Sequence, residues 1–270
     1  MSYRRIIVKT APGYGDLEPT QRDLAAGRLP EGAVCIYPGK RNQLYSFPTP
    51  HGQMVVKCFQ RPNLINSFVY TTLRKSKAAR SYLNSFRLKR FGIGVPEPVA
   101  YAEERVGMRL RRSWYVCREV PGETVRFYEC RPDCERLLTA IARDMLRMHL
   151  YGVYHKDFSP GNVIVEDRPD GTYNLRYVDL NRMEFGVDDH EKQLRMFERI
   201  NYTELHTSRL VRAYTSLAES PAVSFQGLYP LLRPGILLWR ERAGIEEGAL
   251  QAFRRFWQKC ARKKHLFHRR

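Results

Sequence analysis

The segment HKDFSPGNVIV, which begins at His155, constrains this chain more than any other stretch. It sets Asp157 five residues before Asn162, with Pro160 and Gly161 between them, and it runs into an apolar tract of strand character. The Pro-Gly pair makes a tight loop, which lets Asp157 and Asn162 converge on one point. Upstream, ERLLTAIARDMLRMHLYG spaces Leu137, Leu138, Ile141, Met145 and Met148 at the helical period, and Gly152 stands just beyond its end. Downstream, DRPDG reads as a hairpin-type turn into a second short strand. That strand ends in YVDLN, so Asp179 lies 22 residues after Asp157.

A carboxylate and an amide on one loop, joined by a second carboxylate at a strand end, are what phosphoryl transfer needs. One carboxylate accepts the proton of the attacking hydroxyl. The amide oxygen and the other carboxylate hold the magnesium ions that bridge the phosphates. A lone His-x-Asp is a weak signal. His-x-Asp-x4-Asn followed by strand, turn and a strand ending in Asp is a strong one. Lys57 adds a distant member, in MVVKCF. Strand alternation points Val56 and Cys58 away from it. A lysine on the third strand of a small sheet is where a kinase anchors the α- and β-phosphates. By itself it would read as a surface lysine on a half-exposed strand.

The remaining pattern gives the architecture. Residues 1–30 form a poorly periodic lead-in. AVCIYPG, QLYSFPT and MVVKCF read as three strands of an antiparallel meander. Asn63 to Arg90 contains neither Pro nor Gly and reads as mainly helical, and FGIGVPEP breaks it. PVAYAEE and RSWYVCREV return to strand character, and the turn PGE marks the boundary between two lobes. The expected domains are residues 1–121, a sheet-rich N-lobe with its lead-in, and residues 122–270, a helical C-lobe with the catalytic loop and a basic tail.

Charge identifies the kind of partner. The chain of 270 residues has 46 Lys and Arg against 28 Asp and Glu, a net charge of +18. That imbalance points to an anionic partner. It is concentrated in two blocks. Gly32 to Pro96 holds eleven cations and no acid, and eight cations with no acid follow Glu247. No nucleic-acid motif accompanies the charge, so no specific nucleic acid is expected. The six cysteines form no CxxC pair or zinc spacing and read as free thiols. The most apolar stretch, from Leu228, is broken by Arg233 and two prolines, and MSYRRIIVKT lacks the apolar run of a signal peptide. A cytoplasmic location is the expectation.

VVKCF, KSKAARSYLNSFRLKRFGIGVPEPVAYAE, HKDFSPGNV and YVDLNRM, in that order, resemble the protein-kinase superfamily. Within it they resemble the bacterial lipopolysaccharide kinase family, which phosphorylates Kdo or heptose sugars of the inner core. The resemblance covers roughly Ile36 to Gly186. It implies an α+β, bilobal protein-kinase-like fold with a small antiparallel-sheet N-lobe and a larger helical C-lobe. It implies ATP and Mg2+ as cofactors and a lipid-linked or phosphorylated sugar as substrate. Carried over by residue, Asp157 is the catalytic base, Asn162 a metal ligand, Asp179 the main magnesium ligand and Lys57 the phosphate anchor, while His155 braces the loop.

The departures are informative. The first hairpin has no GxGxxG; only Gly39 sits where phosphates are covered, and Lys40 and Arg41 are placed to substitute through charge. Asp179 is followed by Leu-Asn rather than Phe-Gly, and too few residues separate it from the next helix for a long activation loop. No acid occurs between Glu31 and Glu97, and Leu83 lies near the position where kinases carry the helix glutamate. Lys57 is left to Glu97, to Asp179 or to the phosphates of the nucleotide. Two alternatives stay open. One is a small-molecule kinase of aminoglycoside-phosphotransferase type, whose cationic acceptors want an acidic pocket. The other is a non-catalytic pseudokinase scaffold, favoured by the missing helix acid and opposed by the intact Asp157, Asn162 and Asp179.

The tail suggests where such an enzyme works. From Ala249 to Arg270, Phe253, Phe256 and Trp257 share one side at helical spacing, and that side is as suited to packing on the C-lobe as to any other role. The surrounding cations suit an anionic membrane surface, at about 1 kcal/mol each, screened beyond roughly a Debye length. This predicts peripheral attachment to the inner face of the inner membrane. Co-sedimentation with anionic liposomes should be strong at low salt, lost at high salt, and weakened when Arg262, Lys263 and Lys264 are changed together to Ala. A wild-type protein that stays in the supernatant at low salt contradicts the attachment.

Overall fold

A computed structural model describes residues 3–39, 42–59, 75–125, 134–200 and 204–219. The chain divides into two compact units. The first comprises residues 1–90, 95–121 and 179–181; the second comprises 91–94, 122–178 and 182–270.

The first unit is built on a six-stranded sheet. Its strands are β1 (Arg4–Thr10), β2 (Val34–Tyr37), β3 (Asn42–Phe47), β4 (Met54–Phe59), β5 (Pro98–Val106) and β6 (Arg109–Arg118). They lie in the order β1-β5-β6-β4-β3-β2, and every neighbouring pair is antiparallel. Helix α1 (Glu18–Ala26) packs Leu24 and Ala25 against Met54, Val56 and Trp114. Helix α2 (Lys77–Arg90) packs Ala78 and Tyr82 against Phe59 and Tyr115. Because a strand alternates its side chains, β4 gives Met54 and Val56 to the α1 face. Lys57 falls on the other side with Phe59, the face that α2 covers. The start of α2 is set by Ser76, whose Oγ accepts the Ala79 N–H at 3.0 Å.

Residues 3–30 therefore carry more regular structure than their pattern suggests. β1 is an edge strand with half-buried side chains, so its alternation is blurred. The signals for α1 are local: a proline in its first turn and Gly27 just past its end, with φ 87°.

The second unit is organised around α3 (Cys134–Leu150). The expected apolar series holds: Leu137, Leu138, Ile141, Met145 and Met148 are all buried. Each such side chain contributes about 1.5–3 kcal/mol when fully removed from water. Gly152, at φ 64°, ends the helix, and the Val153 N–H returns to the Met148 carbonyl. Two small sheets follow: β7 (Glu123–Thr124) with β9 (Val163–Asp167) and β10 (Tyr173–Tyr177), and β8 (Tyr154–His155) with β11 (Met183–Glu184). Three helices succeed them: α4 (His190–Leu194), α5 (Met196–Ile200) and α6 (Glu204–Glu219). α6 packs on α3, where His149 Nδ1 and the buried Tyr214 hydroxyl are 3.0 Å apart.

Among the described residues Cys35, Cys58 and Cys117 are free thiols. Burial pushes the Cys58 and Cys117 thiols up to about 12, so neither is a nucleophile at neutral pH. Also among the described residues, no helix is long and apolar enough to cross a membrane. Lys40 and Arg41, Cys130, Cys260 and the basic tail from Ala249 lie outside the described residues.

Gly122 supplies a test of the second unit's packing. It has φ 109°, and a Cβ there would lie 2.1 Å from the Val165 carbonyl oxygen. Gly122→Ala should therefore cost more than about 2 kcal/mol, from backbone strain and steric overlap together. The thermal midpoint should fall by several degrees; an unchanged midpoint contradicts the close packing.

Candidate active site

The first unit holds Lys57 and Asp179. β4 lies between β3 and β6, so the Lys57 backbone is paired on both sides, against Leu44 and Tyr115. Its ammonium donates to Asp179 Oδ1 at 2.6 Å, with both side chains mostly buried. Asp179 is the only non-glycine among the described residues with positive φ, at 57°. That conformation costs an ordinary L-residue roughly 1–2 kcal/mol, less for Asp. Two asparagines hold it. Asn181 Nδ2 donates to Asp179 Oδ1, and buried Asn84 Nδ2, from α2, donates to the Leu180 carbonyl at 2.8 Å.

Lys57 thus takes its acid from Asp179. Glu97 instead pairs with Lys89. The helix acid is absent, and Leu83, near its expected position, is partly exposed. The inward-facing residue is Asn84, which grips the backbone beside the acid. The sequence offered no strong signal for Asn84, because an amide on a helix has no charge pattern to mark it.

The second unit holds the His155–Asn162 loop, which is braced by hydrogen bonds at His155, Asp157, Ser159 and Asn162. The Asp157 N–H donates to His155 Nδ1 at 3.1 Å. His155 Nε2, 3.3 Å from the Val178 carbonyl, therefore carries the ring proton. The imidazole is fully buried, so it braces the loop and takes no part in chemistry at the surface. The Asp157 carbonyl accepts from the Ser159 N–H at 2.9 Å and from Asn162 Nδ2 at 2.8 Å. This second bond ties the Asn162 amide to the loop backbone through its nitrogen and leaves Oδ1 out of that bond. The Asn162 carbonyl in turn accepts the Val178 N–H at 3.0 Å. The Asp157 carboxylate remains accessible, with the exposed Arg182 guanidinium 4.0 Å away.

Beside this loop lies a charged group that was not anticipated from the sequence. Lys156 and Lys192 both contact Glu184, the latter at 2.5 Å. Partial burial raises the Glu184 carboxyl, but hydrogen bonds from the two lysines outweigh it and hold the group below its ordinary range. The spacing of Lys192, Arg195 and Arg199, at steps of three and four, was the available signal.

Gly39 sits at the β2–β3 turn, where a Cβ would come within 2.5 Å of the Asn42 carbonyl oxygen. The close approach explains a glycine at that position. Among the described residues no group of three or more His, Cys, Asp or Glu side chains is set to hold a metal. Asp179 in the first unit and Asn162 in the second each carry a hard oxygen donor of the kind magnesium takes.

A small antiparallel sheet with an internal lysine, together with a helical unit carrying a braced His-x-Asp-x4-Asn loop, defines a protein-kinase-like fold and a phosphotransferase acting on an alcohol. The Rio2 kinase from Chaetomium thermophilum has this fold too: TM-score 0.50, 16% identity, 96% of this chain and 83% of that one covered. The chain belongs to the lipopolysaccharide kinase (Kdo/WaaP) family, whose model matches residues 41–214. Other similar structures are WaaP in complex with acyl carrier protein (TM-score 0.44, 18% identity, 95% and 99% covered) and aminoglycoside-3'-phosphotransferase of type VIII (TM-score 0.49, 18% identity, 80% and 97% covered). No curated protein matches the sequence.

Asn84→Leu tests the hold on the Asp179 segment. It leaves the Leu180 carbonyl unsatisfied in a buried site, at a cost of about 1–3 kcal/mol. Stability should fall by that amount, and ATP affinity should weaken several-fold as Asp179 loses its backbone anchor. Wild-type ATP affinity in a destabilised variant would show that Asn84 is structural only.

Proposed function

We propose that this chain transfers the γ-phosphoryl group of ATP to a hydroxyl of a lipopolysaccharide inner-core sugar, Kdo or heptose. Membership of the family supports the substrate class. The catalytic reading is supported most by one observation: the hydrogen-bonded frame that fixes Asp157 and Asn162 while leaving the Asp157 carboxylate accessible.

In this reading Asp157 accepts the proton of the sugar hydroxyl as its oxygen attacks the γ-phosphorus. The bond from the γ-phosphorus to the β-phosphate oxygen breaks, and ADP leaves. Lys57 would anchor the α- and β-phosphates, Gly39 would cover them, and Lys40, which follows Gly39 in the sequence, would add its charge. Asn162 and Asp179 would hold magnesium, which supplies positive charge to the phosphates when bound. Asp179 also accounts for the missing helix glutamate. Lys57 already has a carboxylate partner within its own unit, which favours an active enzyme over a scaffold. The acceptor is lipid-anchored, so attachment of the basic tail to an anionic leaflet would raise the encounter rate.

Two variants separate the roles. Asp179→Asn should remove the magnesium-dependent thermal stabilisation by ATP while the protein stays folded. Asp157→Ala should keep that stabilisation and lose phosphotransfer by about 10²–10⁴-fold. Equal transfer by Asp157→Ala and wild type, or full magnesium-dependent stabilisation of Asp179→Asn, contradicts the assignment.

A further inference from the structure

The second unit contains an open cavity of about 270 Å³ whose lining is almost wholly cationic. Lys156 and Arg182 border it on the side of the Asp157 loop. Lys192, Arg195 and Arg199 border it from the segment that spans α4 and α5, and Tyr154 and Asp189 complete it. Five cations therefore face one acid.

Part of this charge is already used. Glu184 engages Lys156 and Lys192, Lys192 also stands 5.8 Å over the Tyr154 ring, and Arg182 leans toward Asp157. Arg195 and Arg199 have no carboxylate partner among the described residues, and both are exposed. Their neighbours Leu194, Met196, Phe197 and Ile200 are buried. The apolar side of the segment thus anchors it and presents the two arginines outward, four residues apart. Like charges held together gain nothing for stability. Guanidinium forks that line one cavity are suited to a carboxylate or a phosphate, which such a fork binds bidentately.

The cavity is tied to the reacting end of the loop by Arg182, which borders it and lies 4.0 Å from the Asp157 carboxylate. A sugar with its hydroxyl at Asp157 would bring a neighbouring substituent toward this group of cations. We propose that the cavity is an oxyanion subsite for the acceptor, in which Arg195 and Arg199 bind a carboxylate or phosphate on the sugar whose hydroxyl meets Asp157. The proposal rests on the phosphotransfer reading for its biological role, but binding tests it separately. It also gives the positive charge of the second unit a use in selecting an acidic acceptor over the cationic acceptors of antibiotic-modifying kinases.

The test is a titration followed by ligand-observed NMR, with AMP-PNP and magnesium present. The probes are free Kdo as a sugar carboxylate, glucose-6-phosphate as a sugar phosphate, and glucose as an uncharged control. The wild type should bind at least one charged sugar saturably and glucose at least tenfold more weakly. The arm that binds identifies which oxyanion is read. Arg195→Ala with Arg199→Ala should weaken that binding about tenfold or more, and Arg195→Lys with Arg199→Lys should lose part of it, because the charge stays and the fork is lost. Thermal midpoints without ligand monitor folding in each protein. Equal affinity in wild type and the double Ala variant, or no preference for the charged sugars, overturns the subsite. Binding that follows the arginines in a protein that transfers no phosphate supports the subsite and overturns the phosphotransfer reading.

Discussion

The ion pair between Lys57 and Asp179 is the interaction around which the first unit's candidate site is built. It joins the middle of a six-stranded sheet to a three-residue segment that returns from far along the chain. Taking two such charges out of water is expensive, and removing either partner strands the other. The surroundings are arranged to hold the pair: Lys57 is fixed by a strand bonded on both sides, and Asp179 by a left-handed backbone that Asn84 and Asn181 stabilise. The helix packed over this face does not supply the acid. It supplies an amide that fixes the acid's backbone, so the division of labour differs from the usual lysine–glutamate pairing while the lysine still meets a carboxylate.

The second unit solves a different problem. Its loop must keep one carboxylate accessible and one amide oriented, and it does so by spending its backbone groups on one another. The buried, neutral His155 links two backbone segments. Around this rigid loop the charge is positive, and Glu184 neutralises part of it. What remains lies at the open end. A cation-rich approach to an accessible carboxylate suits an anionic ligand and would repel a polycationic one.

Much of this was legible in the sequence, and the limits have physical causes. The helix before the loop, the loop itself and the hairpin to Asp179 carry strong local signals: a clean 3.6-residue period, a Pro-Gly turn and a DRPDG turn. Lys57 was legible only through its company, since a lysine on a strand is common. β1 was missed because an edge strand is half buried and barely alternates. Asn84 was missed because it acts through a hydrogen bond to a backbone carbonyl nearly a hundred residues away, which no spacing rule records. The pairing of Lys156 and Lys192 with Glu184 depends on how β8 and β11 come together, and short two-residue strands leave little trace in a pattern.

The central claim is that this fold performs phosphotransfer to a lipopolysaccharide sugar. The most direct measurement is the mass of an inner-core acceptor after incubation with the full chain, ATP and magnesium. The account predicts that the acceptor gains a single phosphate, placed on a Kdo or heptose hydroxyl, with one ADP formed for each phosphate gained. ATP bound by the protein with no phosphate appearing on any inner-core sugar would contradict it.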